Sequence, residues 1–478
     1  MTTAIPSSAK PKLPPGSKAP AIVGIVQALL DQFGTLERYN QKYGEIFYGS
    51  KSSLMPPYVI FSNPQAIEKV FTADPSLFEV GQQSTAPVKV LLGDKSLVLL
   101  DGIEHKQHRK LLMPPFHGER MKSYGQTMVS VTQEVISQWQ VGQTICIRDY
   151  TQEISLRIIL RTIFGLESGQ RYDRLKAILL DWLDTFNSPL RSFFLFFPAL
   201  QKDLGVLTPW SKFCQQQDQI KKILQEECDR RRQNPDTMGE DILSLLLTAR
   251  YEDGQPMSDQ SITDELMTML FAGHETTASS LAWSFYWLHR LPEVGQKCRQ
   301  ELNSLAENAE FTDIARLPYL SAIVSETLRL NPVVVFVGRQ LKQPFELMGY
   351  RLEAGTSLFP SIYLTHQRED LYPEPKKFKP ERFIERQCLG ERSLASYADA
   401  GSHRFSPYEY LPFGGGNRRC LGYAFALFEM KLVLATIMSQ IKLELLDNRP
   451  LKSGRRGFTF TPEGGVKMKV ISINNRQS

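Results

Sequence analysis

From Met257 to Val294 the chain reads MSDQSITDELMTMLFAGHETTASSLAWSFYWLHRLPEV, with apolar residues on most faces of a helical projection. Ser258 offers a side-chain cap and Pro292 ends the run, which predicts one helix of roughly 32 residues, about 48 Å long. A helix that long and that apolar must cross a protein interior. Most of the chain from about residue 120 to 330 has the same helical texture. Elsewhere the period changes. EIFYGSKSSLMPPYVIFSNP alternates around a Gly/Ser/Pro break, which predicts a hairpin, and Asn63 before Pro64 predicts a capped helix start. After residue 330, short β-type runs (YRLEAGTSLFP and GFTFTPEGGVKMKV, the latter with a hairpin at TPEGGV) are mixed with prolines. The expected fold is mainly α with a smaller β region: one interwoven domain over 21–478 behind a flexible tail, 1–20.

Composition narrows the function. The chain has 478 residues, 42% hydrophobic and 22% charged, enough to bury a large core and enclose a ligand. A net charge of +5 is too mild and dispersed for nucleic acid. The six cysteines form no Cys-x-x-Cys pair, so zinc and redox-disulfide motifs are absent and a reducing compartment is expected. The apolar run Ala21 to Leu30 is about half of the ~20 residues that span a bilayer, and no signal-peptide pattern precedes it. A cytoplasmic, soluble, monomeric protein is expected. Phe193, Phe194, Phe196 and Phe197 read as core as readily as they read as an access lip and a membrane-grazing surface taken together.

The chemistry concentrates in LPFGGGNRRCLG, residues 411–422. Gly414, Gly415 and Gly416 let backbone pass where side chains would collide. Cys420 precedes the helical stretch LGYAFALFEMKLVLATIM, so it sits near a helix N-terminus, where free N–H groups stabilise a thiolate. A thiolate beside a loop that admits a flat ligand is what haem iron requires. On its own, Cys420 reads first as a packed free cysteine after a glycine turn. A phosphate loop fails, because the Lys-Ser/Thr ending is missing.

Phe413, Gly414, Gly416, Arg418, Cys420 and Gly422 together match Phe-Gly-x-Gly-x-Arg-x-Cys-x-Gly, and here the chain resembles the cytochrome P-450 superfamily, the haem-thiolate monooxygenases. The resemblance runs from LPPG at Leu13 to TPEGGV. It implies Cys420 as the axial ligand of haem iron in a P-450-like fold, with haem between the long central helix and the cysteine-loop helix. Ala272, Gly273, Glu275 and Thr276 match the oxygen-activating motif, which implies that Glu275 and Thr276 deliver protons while dioxygen is cleaved; Thr277 could share that role. Glu326 and Arg329 match Glu-x-x-Arg, and Arg382 matches the arginine of Pro-Glu-Arg-Phe. They are expected to form a structural triad. His105, Arg109 and Arg339 are implied as propionate contacts, with Arg418, Phe413, Ala272 and Gly422 completing the haem surround. By family position the substrate pocket draws on the loop from about Gln82 to Leu97, on Val333, Val334 and Val335, and on Phe458.

These matches imply insertion of one oxygen atom of dioxygen into a C–H bond of a lipophile such as a fatty acid, terpenoid or retinoid. The cofactor is haem b. Reducing equivalents come from NAD(P)H through a separate ferredoxin or flavodoxin, for which Lys106, Lys110 and Arg419 offer a basic docking face. Two other readings are carried beside this one: a haem-thiolate enzyme using peroxide or rearranging a hydroperoxide, and a non-enzymatic haem- or lipid-binding sensor.

Overall fold

A computed structural model describes residues 13–49, 56–80, 88–116, 118, 120–185, 201, 208–306, 308–388 and 405–474. The chain divides into two compact units. The first comprises residues 1–85, 335–375 and 405–419; the second comprises 86–334, 376–404 and 420–478.

The first unit is built on a five-stranded sheet. Its strand order is Ile46–Tyr48, Tyr58–Phe61, Ser357–Pro360, Arg339–Leu341 and Phe78–Glu79. The predicted hairpin is its start: Ile46 pairs with Phe61 and Tyr48 with Val59, antiparallel. Tyr58–Phe61 then runs parallel to Ser357–Pro360, a pairing of residues about 300 apart that no local pattern announces. One face is sealed by Val59, Phe61, Leu341 and Leu358 against Ile67, Val70 and Phe71 of the helix Pro64–Thr72. Asn63 caps that helix, its side chain accepting from the Gln65 and Ala66 amides. Gly16 bridges to Tyr48, and Pro15 O accepts from the Tyr48 amide at 2.8 Å, so the chain is held to the sheet well before residue 20.

The second unit is helical around the long helix Asp259–Arg290, 32 residues with Ser258 as its cap, as the pattern predicts. It packs against the helices Ile147–Phe164, Tyr423–Gln440 and Pro318–Leu330 and the strand Thr459–Pro462. The helix continues unbroken through Gly273. A Cβ there would lie 2.6 Å from Ile159 Cδ1, so the glycine lets Ile147–Phe164 come close. The TPEGGV turn is not a hairpin. Thr459–Pro462 pairs back with Ser453–Arg456, whereas Lys467–Ile473 lies in another sheet between Thr144–Cys146 and Ile441–Leu445. Two strands flanking a pair of glycines look alike in sequence whether or not they pair with each other.

Candidate active site

The cysteine segment begins in the first unit. Gly414 and Gly416 have φ of 66° and 65°, a region side chains disfavour. A Cβ on Gly416 would lie 2.6 Å from the Phe71 carbonyl oxygen, and one on Gly415 2.4 Å from the Phe71 ring. The loop is therefore pressed against the helix Pro64–Thr72. Phe413 and Arg418 are half-buried in this unit. Arg339 sits on its sheet strand, with Nη1 donating to Gly338 O at 2.7 Å and its guanidinium 5.7 Å from the Phe71 ring centre.

Cys420 opens the last stretch of the second unit. Its thiol is exposed, and it stands two residues before Gly422, the N-cap of Tyr423–Gln440. Gly422 supplies no side-chain cap, so the first amides of that helix keep their dipole for whatever lies beside them. Three other cysteines differ. Burial pushes Cys228 up to about 11 and Cys298 up to about 12, and it raises Cys146 as well, so these are inert packing thiols.

On the long helix, which is buried over most of its length, Ala272 is exposed while Phe271, Gly273 and Thr276 are only half-buried. One face of a core helix thus opens at the positions of the oxygen-activating motif. Thr276 Oγ1 donates to Ala272 O at 2.6 Å, the back-bond expected of a helical threonine. Thr277 is buried.

Glu275 is held by residues that the sequence does not announce. Arg148 Nη2 lies 2.5 Å from its Oε1, and Arg456 Nε approaches the same oxygen at 3.6 Å. Arg148 is itself fixed by Gln152 Oε1 at 2.8 Å and Thr461 Oγ1 at 3.1 Å. His274, fully buried, donates from Nδ1 to Leu270 O, which leaves Nε2 3.9 Å from Glu275 Oε2; burial lowers its pKa and keeps it neutral.

Other expected site residues are divided between the units. His105, buried, and Arg109, half-buried, lie one turn apart on the helix Gly102–Leu112 of the second unit. Val333 and Val334 are half-buried there, and Val333 O accepts from the Phe460 amide at 3.0 Å. Val335, buried, begins a segment of the first unit. Phe458 meets Phe271 edge-on at 6.1 Å, Phe271 meets Trp182 at 6.3 Å, and Trp182 stacks on Phe213 at 5.7 Å. This aromatic row runs from Phe458 through Phe271 into the core, where Trp182 and Phe213 are wholly buried. The 88–97 part of the expected pocket loop is anchored by the long helix: Asp264 accepts from the Lys95 amide, Glu265 from the Leu97 amide, and Thr268 donates to Ser96. Phe193, Phe194, Phe196 and Phe197, and positions 82–87, lie outside the described residues.

A sequence-family model for cytochrome P450 matches residues 14–469. The chain belongs to the cytochrome P450 family. Two mycobacterial relatives from Mycobacterium tuberculosis are each 32% identical to this P450. They are the putative cytochrome P450 135B1, over 96% of this chain and 91% of that protein, and the putative cytochrome P450 138, over 98% of both. Among solved structures, retinoic acid-bound cyanobacterial CYP120A1 superposes with a TM-score of 0.80 at 26% identity, covering 96% of this chain and 99% of that one. The haem domain of cytochrome P450DA superposes at 0.78 with 22% identity and shares the fold. This P450 is therefore an oxidoreductase of the monooxygenase class, a family that carries haem and takes electrons from redox partners. The residues suit such a group: an exposed thiol ahead of an uncapped helix N-terminus, a tight glycine loop, and an opened face on the central helix.

In this P450 the Glu-x-x-Arg helix carries a buried network. Arg329 Nε and Nη2 donate to Glu326 at 2.6 and 2.9 Å; Arg382 Nε and the Lys379 amide donate to Glu326 Oε1 at 3.0 and 2.8 Å. Glu326 and Arg329 are wholly buried, which decides against a surface ion pair. No helix among the described residues is long and apolar enough to cross a membrane.

The cysteine helix also holds Glu429, fully buried, with Oε1 bonded to the Ser155 hydroxyl and Oε2 without a hydrogen-bond partner. Burial raises its pKa to about 8. In the unfolded chain this carboxyl ionises near 4.5, whereas in the fold it stays protonated. Its favourable contribution is thus complete below the unfolded value and is lost as pH rises toward 8. Glu429→Gln is expected to flatten the fall in stability between pH 5 and 8, by up to about 4 kcal/mol at the upper end. Thermal unfolding of both proteins across that range checks it; parallel curves would contradict it.

Proposed function

We propose that this P450 hydroxylates a lipophilic substrate, such as a fatty acid, terpenoid or retinoid, with electrons from a separate ferredoxin or flavodoxin fed by NAD(P)H. The observation that carries the reading is the exposed Cys420 thiol two residues before the uncapped helix Tyr423–Gln440. Cys420 would hold haem b through its thiolate, and that group would supply the activation of dioxygen and the transfer of one oxygen atom to the substrate. The chain's own residues do the rest. By family position, Phe413, Arg418, Gly422 and Ala272 would border the group, and His105, Arg109, Arg339 and Arg418 would offer cations to its propionates.

Thr276 Oγ1 has its proton committed to Ala272 O, so it presents lone pairs that accept a hydrogen bond and orient a water on the open helix face. Glu275, held by Arg148 and Arg456, would relay protons drawn from solvent to that water, taking one up for each it gives. Phe458 and Phe271, with Val333, Val334 and Val335 by family position, would make an apolar lining. The likeness to retinoic acid-bound CYP120A1 supports a substrate of that size and polarity. Lys106, Lys110 and Arg419 remain the docking cations, although Lys110 also pairs with Glu252 at 2.6 Å.

Reconstitution tests the reading against its nearest competitor. With NADPH, a ferredoxin reductase and a ferredoxin, a lipophile that shifts the haem spin state should be hydroxylated in air, with little product from peroxide alone. Product from peroxide and none from dioxygen with reductant would favour a peroxide-using enzyme. Tight lipophile binding without turnover in either system would favour a sensor.

A further inference from the structure

The helix Ala21–Leu30 is inside out. It contains ten residues, none charged, and its one polar side chain faces the protein. Gln27 Oε1 accepts from Tyr39 OH at 3.3 Å and Gln27 O accepts from Thr35 Oγ1 at 3.1 Å, while Gly24 approaches Tyr39 from the same side. Four of its apolar side chains turn the other way. Val23, Val26, Leu29 and Leu30 are 41%, 45%, 51% and 82% exposed. At 100° per residue these four fall in a stripe about 120° wide, next to the packed side. Leu13, upstream, is 53% exposed. Among the described residues twelve large apolar side chains are exposed, and five of them lie between Leu13 and Leu30, so the exposure is concentrated rather than scattered. A helix against water has the opposite arrangement.

We propose that the segment Leu13–Leu30 docks on the surface of an anionic lipid bilayer, with Val23, Val26, Leu29 and Leu30 entering the headgroup boundary. Two observations choose lipid over a protein. The patch is four side chains on a three-turn helix, far short of the roughly 800 Å² per partner that a stable protein interface buries, whereas shallow insertion of a few apolar side chains suits an interfacial helix. The charge ahead of it has one sign, and Asp31 just after it is paired with Arg38 at 3.4 Å. Lys10, Lys12 and Lys18 precede the helix, and no acidic residue occurs before Asp31. Each lysine near an anionic surface strengthens partitioning about fivefold, within a Debye length. The helix is too short to span, so the contact is peripheral and reversible. The inference is independent of the catalytic assignment, because the segment contains none of the proposed site residues.

The test uses the purified full-length haem-loaded protein and sedimentation with vesicles of phosphatidylcholine, alone or with about one-third phosphatidylserine. Wild type should pellet with the anionic vesicles, at least tenfold more weakly with phosphatidylcholine alone, and more weakly again at high salt. Val26→Gln with Leu30→Gln should reduce binding at least tenfold, and Lys10→Gln with Lys12→Gln and Lys18→Gln should remove the preference for anionic lipid. An unchanged haem spectrum in each variant verifies folding. Wild type left in the supernatant with anionic vesicles, or a Val26→Gln/Leu30→Gln protein that pellets equally, overturns the proposal. So does a dimer seen by light scattering that the same two substitutions dissociate, since the stripe would then be an interface between copies of this chain.

Discussion

Glu326→Ala protein should fail to accumulate as a soluble haem-loaded enzyme. Four donors converge on that carboxylate, from Arg329, Arg382 and the Lys379 amide. Removing it leaves the wholly buried Arg329 guanidinium without its counter-charge. Breaking a buried pair from one side costs about 3–5 kcal/mol, a large share of the roughly 5–15 kcal/mol by which a domain is stable. Glu326→Gln keeps the shape and some acceptors, so it should cost less. Soluble yield, haem content and thermal midpoint measure the effect. An alanine variant with wild-type yield and midpoint would show that the network contributes little.

The second large effect is on coupling. Thr276→Ala removes the hydroxyl that orients water at the opened helix face, and Glu275→Gln removes the proton relay. Loss of a positioned acid or base typically costs about 10²–10⁴-fold. Glu275→Gln should lower turnover about a hundredfold. Thr276→Ala should continue to consume reductant while product per reductant falls about tenfold, the remainder appearing as peroxide or water. Arg148→Met should resemble Glu275→Gln in rate, because it frees the carboxylate from its 2.5 Å partner. Measuring product, peroxide and reductant together separates these outcomes. Wild-type coupling in both Glu275→Gln and Thr276→Ala would remove these two residues from the mechanism.

How much the sequence discloses depends on the range of the interaction. Ser258 and Asn63 cap the helices they announce, because a cap involves neighbours two or three residues away. The cysteine loop is legible because six constrained positions crowd into ten residues. The geometry gives their physical reason, since Gly415 and Gly416 pass against Phe71 where a Cβ cannot fit. Glu275 was legible as an acid in an apolar run, but its clamp was not. Arg148 lies 127 positions away at the start of another helix, and nothing in IRDYTQEI marks it as a partner. The row from Phe458 to Trp182 is hidden for the same reason. Glu429 reads as an ordinary helix acid, and only packing against Ser155 reveals its burial. The stretch Ala21–Leu30 was visible as apolar, but which side faces outward is decided by Tyr39 and Thr35 on the next helix.

The central claim is that the Cys420 sulfur binds haem iron as a thiolate, and the spectrum of the reduced protein under carbon monoxide reports that bond directly. The purified protein should show a strongly red-shifted Soret band, and Cys420→Ser should lack it. A wild-type band at the position of nitrogen-ligated haem, or the same red-shifted band in the Cys420→Ser protein, would contradict the account.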